Sequence, residues 1–170
     1  MNNFKTILGD ICYPKSQALV ITGNTSGLMT SDTQEKILKT AGKKLLKEIK
    51  KIFMIKKIFI GDYVSTEPCR LKARGVKRIY FPILKRFPSD FISSHIIREA
   101  FLNVFRQIIK DQMLSISICG ISSDIEGLDK KVVANIILSV CEDFNDKIDI
   151  LIIDSDKEFI DEINNLYKEF

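Results

Sequence analysis

The sequence predicts one α/β domain: a three-layer α/β/α sandwich around a central mixed, mostly parallel sheet of about six strands. Three observations support this fold class. Short apolar segments of strand length alternate with segments whose apolar residues recur at helical spacing. The chain ends in the order strand, helix, strand, helix, which is typical of parallel sheets. A length of 170 residues suits a single domain spanning residues 1–170.

The first half of the chain contains two predicted strands and one long predicted helix. Residues 4–11 and 17–22 are the strands, separated by a turn. Apolar residues over 37–49 recur at spacings of one, three and four with lysines between them, which predicts a helix of about four turns. Asp32 and Glu35 form a capping-box-like pair at its start.

The second half begins with two predicted strands, 57–64 and 76–83. Pro82 and Pro88 indicate that the second of them ends near a sheet edge or a mouth, because proline cannot donate to a strand ladder. The later predicted elements are a helix over 91–110, a strand over 114–119, a helix capped by Asp129, an apolar strand over 148–153 and a helix over 157–167. Loops beyond the carboxyl ends of parallel strands bind ligands, and 23–31, the stretch after 83 and 120–127 qualify by position.

The composition is that of an ordinary globular protein, with 45% hydrophobic and 28% charged residues. The longest apolar runs have the length of a strand, so we expect no membrane partner and a cytoplasmic or nuclear location. The four cysteines lack Cys-x-x-Cys spacing, and His95 alone could join them at a metal, which argues against a metal site. No cofactor is expected.

The positive charge is concentrated in one segment. Residues 36–86 contain 16 Lys and Arg against 3 acids, whereas the net charge of the chain is +4. Such a segment can attract a polyanion, so RNA is one candidate partner for the basic 36–86 face. The alternative is that these lysines are the solvated face of an amphipathic helix.

Four motifs in the same order resemble those of macro domains, and together they cover nearly the whole chain. Gly9-Asp10-Ile11 is similar to that family's G-D-I. Residues 17–24, Gln-Ala-Leu-Val-Ile-Thr-Gly-Asn, resemble its D-A-I-V-N-A-A-N. Thr40-Ala41-Gly42 matches its A-A-G without a gap, and residues 121–127 resemble its second loop, I-S-T-G-V-Y-G.

The resemblance implies an ADP-ribose site at defined positions. Asp10 and Ile11 would contact the adenine, and Asn24 would contact the distal ribose. The two phosphate loops would contribute Ser31, Asp32, Ser122, Ser123, Asp124, Ile125 and Gly127.

Both phosphate loops depart from the family pattern. The family's glycine run is Met29-Thr30-Ser31-Asp32 here, Asp124 replaces a glycine, and Glu126 replaces an aromatic residue. Glycine permits close backbone approach to a ligand. A carboxylate ~4 Å from a phosphate costs up to about 4 kcal/mol at an effective dielectric of ~20. We therefore expect weakened or lost ADP-ribose binding, unless Asp32 serves as an N-cap and Asp124 as an outward turn residue.

Two hydrolase mechanisms are implied by different branches of the family. In the commonest group an acid stands where this chain has Gln34, and a histidine where it has Leu38, so that mechanism is absent. Residues 121–128 also resemble the loop of the terminal ADP-ribose protein glycohydrolase type. There Glu126 falls on the catalytic acid, and Lys85 falls on a lysine that attacks the ribose as a Schiff-base nucleophile. The alternative reading of Lys85 is a surface lysine beside Arg86.

The sequence thus predicts a divergent macro domain that acts as a binding module without catalysis and holds an adenine nucleotide weakly. A hydrolase that uses Lys85 and Glu126 is the alternative. RNA on the basic face is a further candidate ligand. No protein partner is identified.

Overall fold

The structure is a computed structural model that describes residues 3–10, 16–125 and 127–169. Its strands are β1 (Phe4–Leu8), β2 (Ala18–Val20), β3 (Gly23–Asn24), β4 (Tyr63–Thr66), β5 (Arg78–Lys85), β6 (Ser115–Cys119) and β7 (Asp149–Asp154). Its helices are α1 (Asp32–Ala41), α2 (Lys44–Ile55), α3 (Ser94–Lys110), α4 (Ile121–Asp124), α5 (Lys130–Glu142) and α6 (Lys157–Lys168), with a 3-10 helix over Cys69–Arg74. The alternation of strands and helices is the one that the sequence predicts.

The strands form one sheet in the order β1-β7-β6-β2-β5, with parallel pairing throughout. β3 continues the line of β2 along β5, also parallel. β4 is antiparallel and pairs with β5 over Ile79 to Pro82. This arrangement confirms the mixed, mostly parallel sheet.

Two apolar cores lie on opposite faces of this sheet, because neighbouring residues of each strand point to opposite sides. Val20 and Tyr80 face the core formed with α3, α5 and α6. Leu19 and Ile79 face the core formed with α1 and α2. The three-layer α/β/α sandwich is therefore confirmed. No helix in the described part of the chain is long and apolar enough to cross a membrane.

The interruption between β2 and β3 follows from Pro82. Ile21 N donates to Tyr80 O at 3.0 Å, and the next bond of a parallel ladder would run from the backbone N of residue 82 to Ile21 O. Proline has no N–H, so the ladder stops and resumes at Gly23. Pro82 thus lies inside the sheet rather than at an edge. The strand continues to Lys85 at the mouth of a pocket.

The long helix predicted over 37–49 is two helices. The chain turns at Gly42, whose φ of 91° is in the range that favours glycine, and a Cβ there would lie 3.1 Å from Arg70 Nε. The cap also differs by one residue. Ser31 is the N-cap of α1 and forms the capping box with Gln34, whereas the sequence indicated Asp32 and Glu35.

The predicted strand over 57–64 is shorter and later than expected. Residues 57–62 form a turn in which Gly61 has a φ of 93°, and β4 begins only at Tyr63. Gly61 N donates to Ile83 O at 2.8 Å, so the turn is held against the end of β5.

Candidate functional site

A polar pocket of about 300 Å³ opens at the carboxyl ends of β2, β3 and β5, beside the loop that follows β6. This is the edge at which ligands of open α/β sheets bind. The residues around it are Thr22, Gly23, Asn24, Thr30, Ser31, Asp32, Gln34, Leu84, Lys85, Pro88, Ile92, Ser123 and Asp124. All three loops that the sequence singled out by position contribute to it.

Asn24 lines this pocket but is occupied by its own loop. The side chain is only 3% exposed. Its Nδ2 donates to Leu28 O at 2.9 Å, and its Oδ1 accepts from the Ser26 hydroxyl. A ribose at Asn24 would therefore have to replace one of these contacts.

Gln34 holds the first loop to the end of β2. Its Oε1 accepts from Thr30 N at 3.1 Å and from Ser31 N at 3.2 Å, and its Nε2 donates to Thr22 O at 2.7 Å. The amide is buried, and both of its ends are paired with backbone groups. At the position where one hydrolase group has an acid, this chain has a structural bridge.

Ser31 and Asp32 take different places at the start of α1. Ser31 is the N-cap, with its Oγ accepting from Gln34 N at 3.2 Å. Asp32 is the first helical residue and is exposed at the pocket mouth, where the helix N-terminus favours a carboxylate. Asp32 is thus not the N-cap, and its charge faces the pocket.

The second loop packs directly against the first. After β6 the chain turns at Gly120, whose φ is 63°, and forms the single turn α4. A Cβ on Gly120 would lie 1.9 Å from Thr33 Oγ1, so only glycine fits here. Thr33 Oγ1 and Ser123 Oγ are 2.9 Å apart and share a hydrogen bond. The two loops therefore form one polar wall.

Asp124 points inward from the end of α4 and is only 5% exposed. Its Oδ2 accepts from Thr22 Oγ1 at 2.8 Å, and the hydroxyls of Ser31 and Ser123 also donate to its carboxylate. Burial raises the pKa of Asp124 to about 6, although these hydroxyls and the charge of Lys85 oppose the shift. The carboxyl is thus mainly ionised at neutral pH. It is not the outward turn residue of the alternative reading.

Lys85 is half-buried at the end of β5 and lines the same pocket. Its Nζ donates to Pro88 O at 2.8 Å and to Asp124 O at 3.5 Å. Lys85 is therefore not a freely solvated surface lysine, whereas its neighbour Arg86 is exposed. The acid that the sequence paired with it, Glu126, lies outside the described residues.

The other expected ligand residues lie on the far side of α4. Ser122 donates from its N and Oγ to the buried carboxylate of Asp154. Ser122, Ile125 and Gly127 line a second pocket of about 240 Å³ with Leu128, Lys130, Val133 and Phe159. The single turn thus divides the predicted phosphate loop between two pockets.

Of the two predicted adenine residues, Asp10 lies beyond the end of β1. Asp10 is exposed, and the preceding Gly9 donates from its N to Asp154 O at 3.0 Å. Ile11 lies outside the described residues. Asp10 therefore emerges at the same sheet edge as both pockets, next to β7.

Sequence reasoning missed Thr22, Thr33 and Asp154, which join the strand ends to the two loops. One signal was available for Asp154, since an acid directly after a fully apolar strand lies at a sheet edge where polar partners are needed. Threonines carry no comparable signal. No group of three or more His, Cys, Asp or Glu that could hold a metal is present in the described part of the chain.

The chain belongs to the macro domain family, whose model matches residues 20–137. Several solved macrodomains have the same fold. That of Oceanobacillus iheyensis with ADP is 17% identical, with a TM-score of 0.82 over 96% of this chain and 89% of that chain. The macrodomain of Mycobacterium tuberculosis DarG is 19% identical, with a TM-score of 0.77 over 89% of this chain and 97% of that chain.

The Trypanosoma brucei macrodomain in complex with ADP is 15% identical, with a TM-score of 0.81 over 98% of this chain and 69% of that chain. At these identities the likeness shows the fold. No curated protein matches the chain.

Proposed function

We propose that this chain is a macro-domain binding module that takes an adenine nucleotide weakly and catalyses no reaction on it. Two macrodomains of similar fold are described with ADP, which supports the ligand class. The observation that carries the reduced affinity is the position of Asp124, whose buried carboxylate lies between the two loops.

The charges around the pocket oppose a diphosphate. Asp124 and Asp32 both line it, and Lys85 is the one cation among the lining residues that the structure describes. The Lys85 ammonium already donates to Pro88 O and Asp124 O. A diphosphate placed here meets more negative than positive charge, in a partly desolvated site where repulsion is weakly screened.

The hydrogen bonds between the loops add a geometric cost. Backbone N–H groups of Thr30 and Ser31 already donate to Gln34, and those of Ser122 and Asp156 donate to Asp154. A phosphate that used these groups would have to displace a paired side chain. Adenosine has no diphosphate and needs none of these N–H groups, which favours adenosine over ADP-ribose relative to other macro domains.

Calorimetry with ADP-ribose, ADP and adenosine tests the proposal. We expect a Kd for ADP-ribose of about 100 µM or weaker at pH 7.5. The Asp124→Asn variant keeps the shape of the side chain without its charge and should bind ADP-ribose at least roughly tenfold more tightly. Adenosine affinity should not change, and Asp146→Asn, at an exposed carboxylate far from the pocket, is the matched control.

Micromolar ADP-ribose binding by the unmodified chain, lost in Asn24→Ala, would contradict this proposal. So would an Asp124→Asn variant that binds ADP-ribose no better than the unmodified chain does.

Hydrolysis is a second candidate because Lys85 and Asp124 line the same pocket. A deprotonated Lys85 would form a bond to the anomeric carbon of the ribose as the bond to the modified side chain breaks. The leaving oxygen would take the proton of a carboxylic acid, the ribose ring of the resulting glycosylamine would open to a Schiff base, and water would hydrolyse that Schiff base to free ADP-ribose. The acid is Asp124 by proximity, or Glu126 by sequence resemblance.

Release of ADP-ribose from a modified protein tests this candidate. A hydrolase loses release in Lys85→Ala and Lys85→Arg, keeps it in the exposed control Lys77→Ala, and leaves a borohydride-reduced adduct on Lys85. Asp124→Asn and Glu126→Gln would then identify the acid. Release that persists without Lys85, or no release at all, excludes the lysine mechanism.

A further inference from the structure

The end of α2 and the turn after it carry an unusual surface. Residues 50–60, here called the α2 tip, read Lys-Lys-Ile-Phe-Met-Ile-Lys-Lys-Ile-Phe-Ile, so the order Lys-Lys-Ile-Phe occurs twice. No acid occurs between Glu48 and Asp62. The tip therefore contains large apolar side chains, and all of its charged side chains are lysines.

Four large apolar side chains of the tip are exposed: Met54 by 86%, Ile55 by 83%, Phe59 by 56% and Ile60 by 38%. The backbone beneath them is well anchored. Ile52, Phe53 and Ile58 pack against the core on the α1 and α2 side of the sheet. Several large exposed apolar side chains within one short, anchored segment are typical of a surface that meets another apolar phase.

Among the residues that the structure describes, the lysines of the tip have no carboxylate partner. In the described part of the chain, none of Lys50, Lys51, Lys56 and Lys57 is within 4.0 Å of a carboxylate. Lys57 lies over the Phe59 ring at 5.2 Å. Their charge is thus available to an anionic surface, while their methylene stems extend the apolar patch.

The tip lies at the same end of the sheet as the candidate pocket. Gly27, three residues after Asn24, lies against Phe53, and Gly61 pairs with Ile83 near the end of β5. The loop beyond β5, which contributes Pro88 and Ile92 to the pocket lining, exposes Phe87 by 54% and Phe91 by 92%. Exposed phenylalanines therefore neighbour two of the pocket's lining residues in sequence.

We propose that the α2 tip docks on an anionic lipid surface, with Met54, Ile55 and Phe59 among the headgroups and the four lysines on lipid phosphates. Apolar insertion and a basic cluster are the two signals that a stable surface contact needs. A protein partner is disfavoured because interface cores are depleted of lysine. RNA is disfavoured because three of the four exposed apolar side chains of the tip, Met54, Ile55 and Ile60, offer no ring for bases to stack on.

This proposal departs from the sequence-based expectation of no membrane partner. That expectation rested on the lack of a segment long enough to span a bilayer, and a contact with the lipid surface requires no span. Docking in this orientation would turn the mouth of the pocket toward the lipid.

Flotation of the full chain with vesicles tests the proposal. We expect binding to phosphatidylcholine vesicles with about 30% phosphatidylserine at low salt, weaker binding at high salt, and little binding to phosphatidylcholine alone. Lys56→Gln/Lys57→Gln should weaken binding roughly tenfold or more, since each lysine contributes about fivefold. Met54→Ser/Ile55→Ser should weaken it by at least a similar factor.

Matched controls are available at the opposite end of the sheet. Leu114→Ser removes an apolar side chain that is 68% exposed, and Lys72→Gln/Lys77→Gln removes two exposed lysines. Both should bind vesicles within about twofold of the unmodified chain. All substituted residues are exposed, and unchanged melting temperatures will confirm that the variants fold.

Three results would overturn the proposal. The first is a vesicle experiment in which the chain does not bind anionic vesicles at low salt, or in which the control variants lose as much vesicle binding as the tip variants do. The second is RNA retardation by a chain that does not float. The third is a dimer on size-exclusion chromatography that Met54→Ser/Ile55→Ser abolishes, since the patch would then be covered by a second copy.

Discussion

Thr22 donates from Oγ1 to Asp124 Oδ2 at 2.8 Å, and this bond joins the end of β2 to the single turn after β6. The two residues lie far apart in sequence and follow the neighbouring parallel strands β2 and β6. The same contact leaves a carboxyl buried in a polar pocket, with consequences for stability and binding.

The buried Asp124 should make stability depend on pH. Its pKa is about 6 in the folded chain against 3.8 as its ordinary value, so the folded state keeps the proton longer. Stability from this group is therefore full below pH 3.8 and is lost as the pH rises through 6, by about 3 kcal/mol in all. Asp124→Asn should remove this dependence, as urea unfolding between pH 4.5 and 7.5 will measure. A constant difference between the two chains across that range would contradict the assignment.

Ligand binding should show the same titration. At pH 5.5 Asp124 is mainly protonated, so repulsion of a diphosphate is relieved. We expect ADP-ribose to bind several-fold more tightly at pH 5.5 than at pH 7.5, because the protonated form of Asp124 dominates only at the lower pH. The affinity of Asp124→Asn should be flat over this range, and adenosine is the control ligand. An equal pH slope in Asp124→Asn would assign the titration to another group.

Gln34→Glu tests whether Gln34 has a structural role. A carboxylate of the same shape cannot donate to Thr22 O, so two oxygens would face each other where the amide now bonds at 2.7 Å. We expect a loss of about 2–3 kcal/mol in unfolding free energy and no gain of ADP-ribose release. Gln112→Glu, at an exposed glutamine, should remain within about 0.5 kcal/mol. Normal stability of the Gln34→Glu chain would show that Gln34 does not stabilise the first loop.

Gly120→Ala should be far more disruptive than Gly75→Ala. Both glycines have positive φ, 63° and 90°, so both substitutions strain the backbone. Only at Gly120 does the added methyl meet another group, Thr33, whereas nothing lies within 4 Å at Gly75. We expect about 1 kcal/mol for Gly75→Ala and several kcal/mol for Gly120→Ala. Equal effects in thermal unfolding would mean that the two loops are not in contact.

The fold was predictable because it depends on periodicity. Apolar spacing identified most strands and helices, and Asp129 was correctly read as a cap, since its side chain accepts from Lys131 N and Val132 N. The division at Gly42 was missed because the lysine-rich pattern continues across it. Only the approach of Arg70, remote in sequence, shows why the chain turns there.

The site was less predictable because it depends on which way side chains point. Asn24, Ser31, Asp32, Lys85, Ser123 and Asp124 do surround one pocket. Nothing local decides whether Asp124 turns outward or inward, because its partner Thr22 follows β2, which is remote in sequence. The sequence drew attention to Gln34 only because its side chain has no titratable proton. Its role as a bridge between Thr22 and the first loop can be seen only from the loop geometry.

The pairing of β1 with β7 sets the order in which the sheet can be completed. Phe4 lies opposite Ile150, and Thr6 Oγ1 donates to Asn164 Oδ1 at 2.8 Å, so partners of β1 come from the far part of the chain. During synthesis the β1 segment stays unpaired until residues 149–164 have been made, because all of these partners are far along the chain. A chain stopped before that point would leave β1 without its partner strand, with Ile7 and Leu8 available to pair with another molecule.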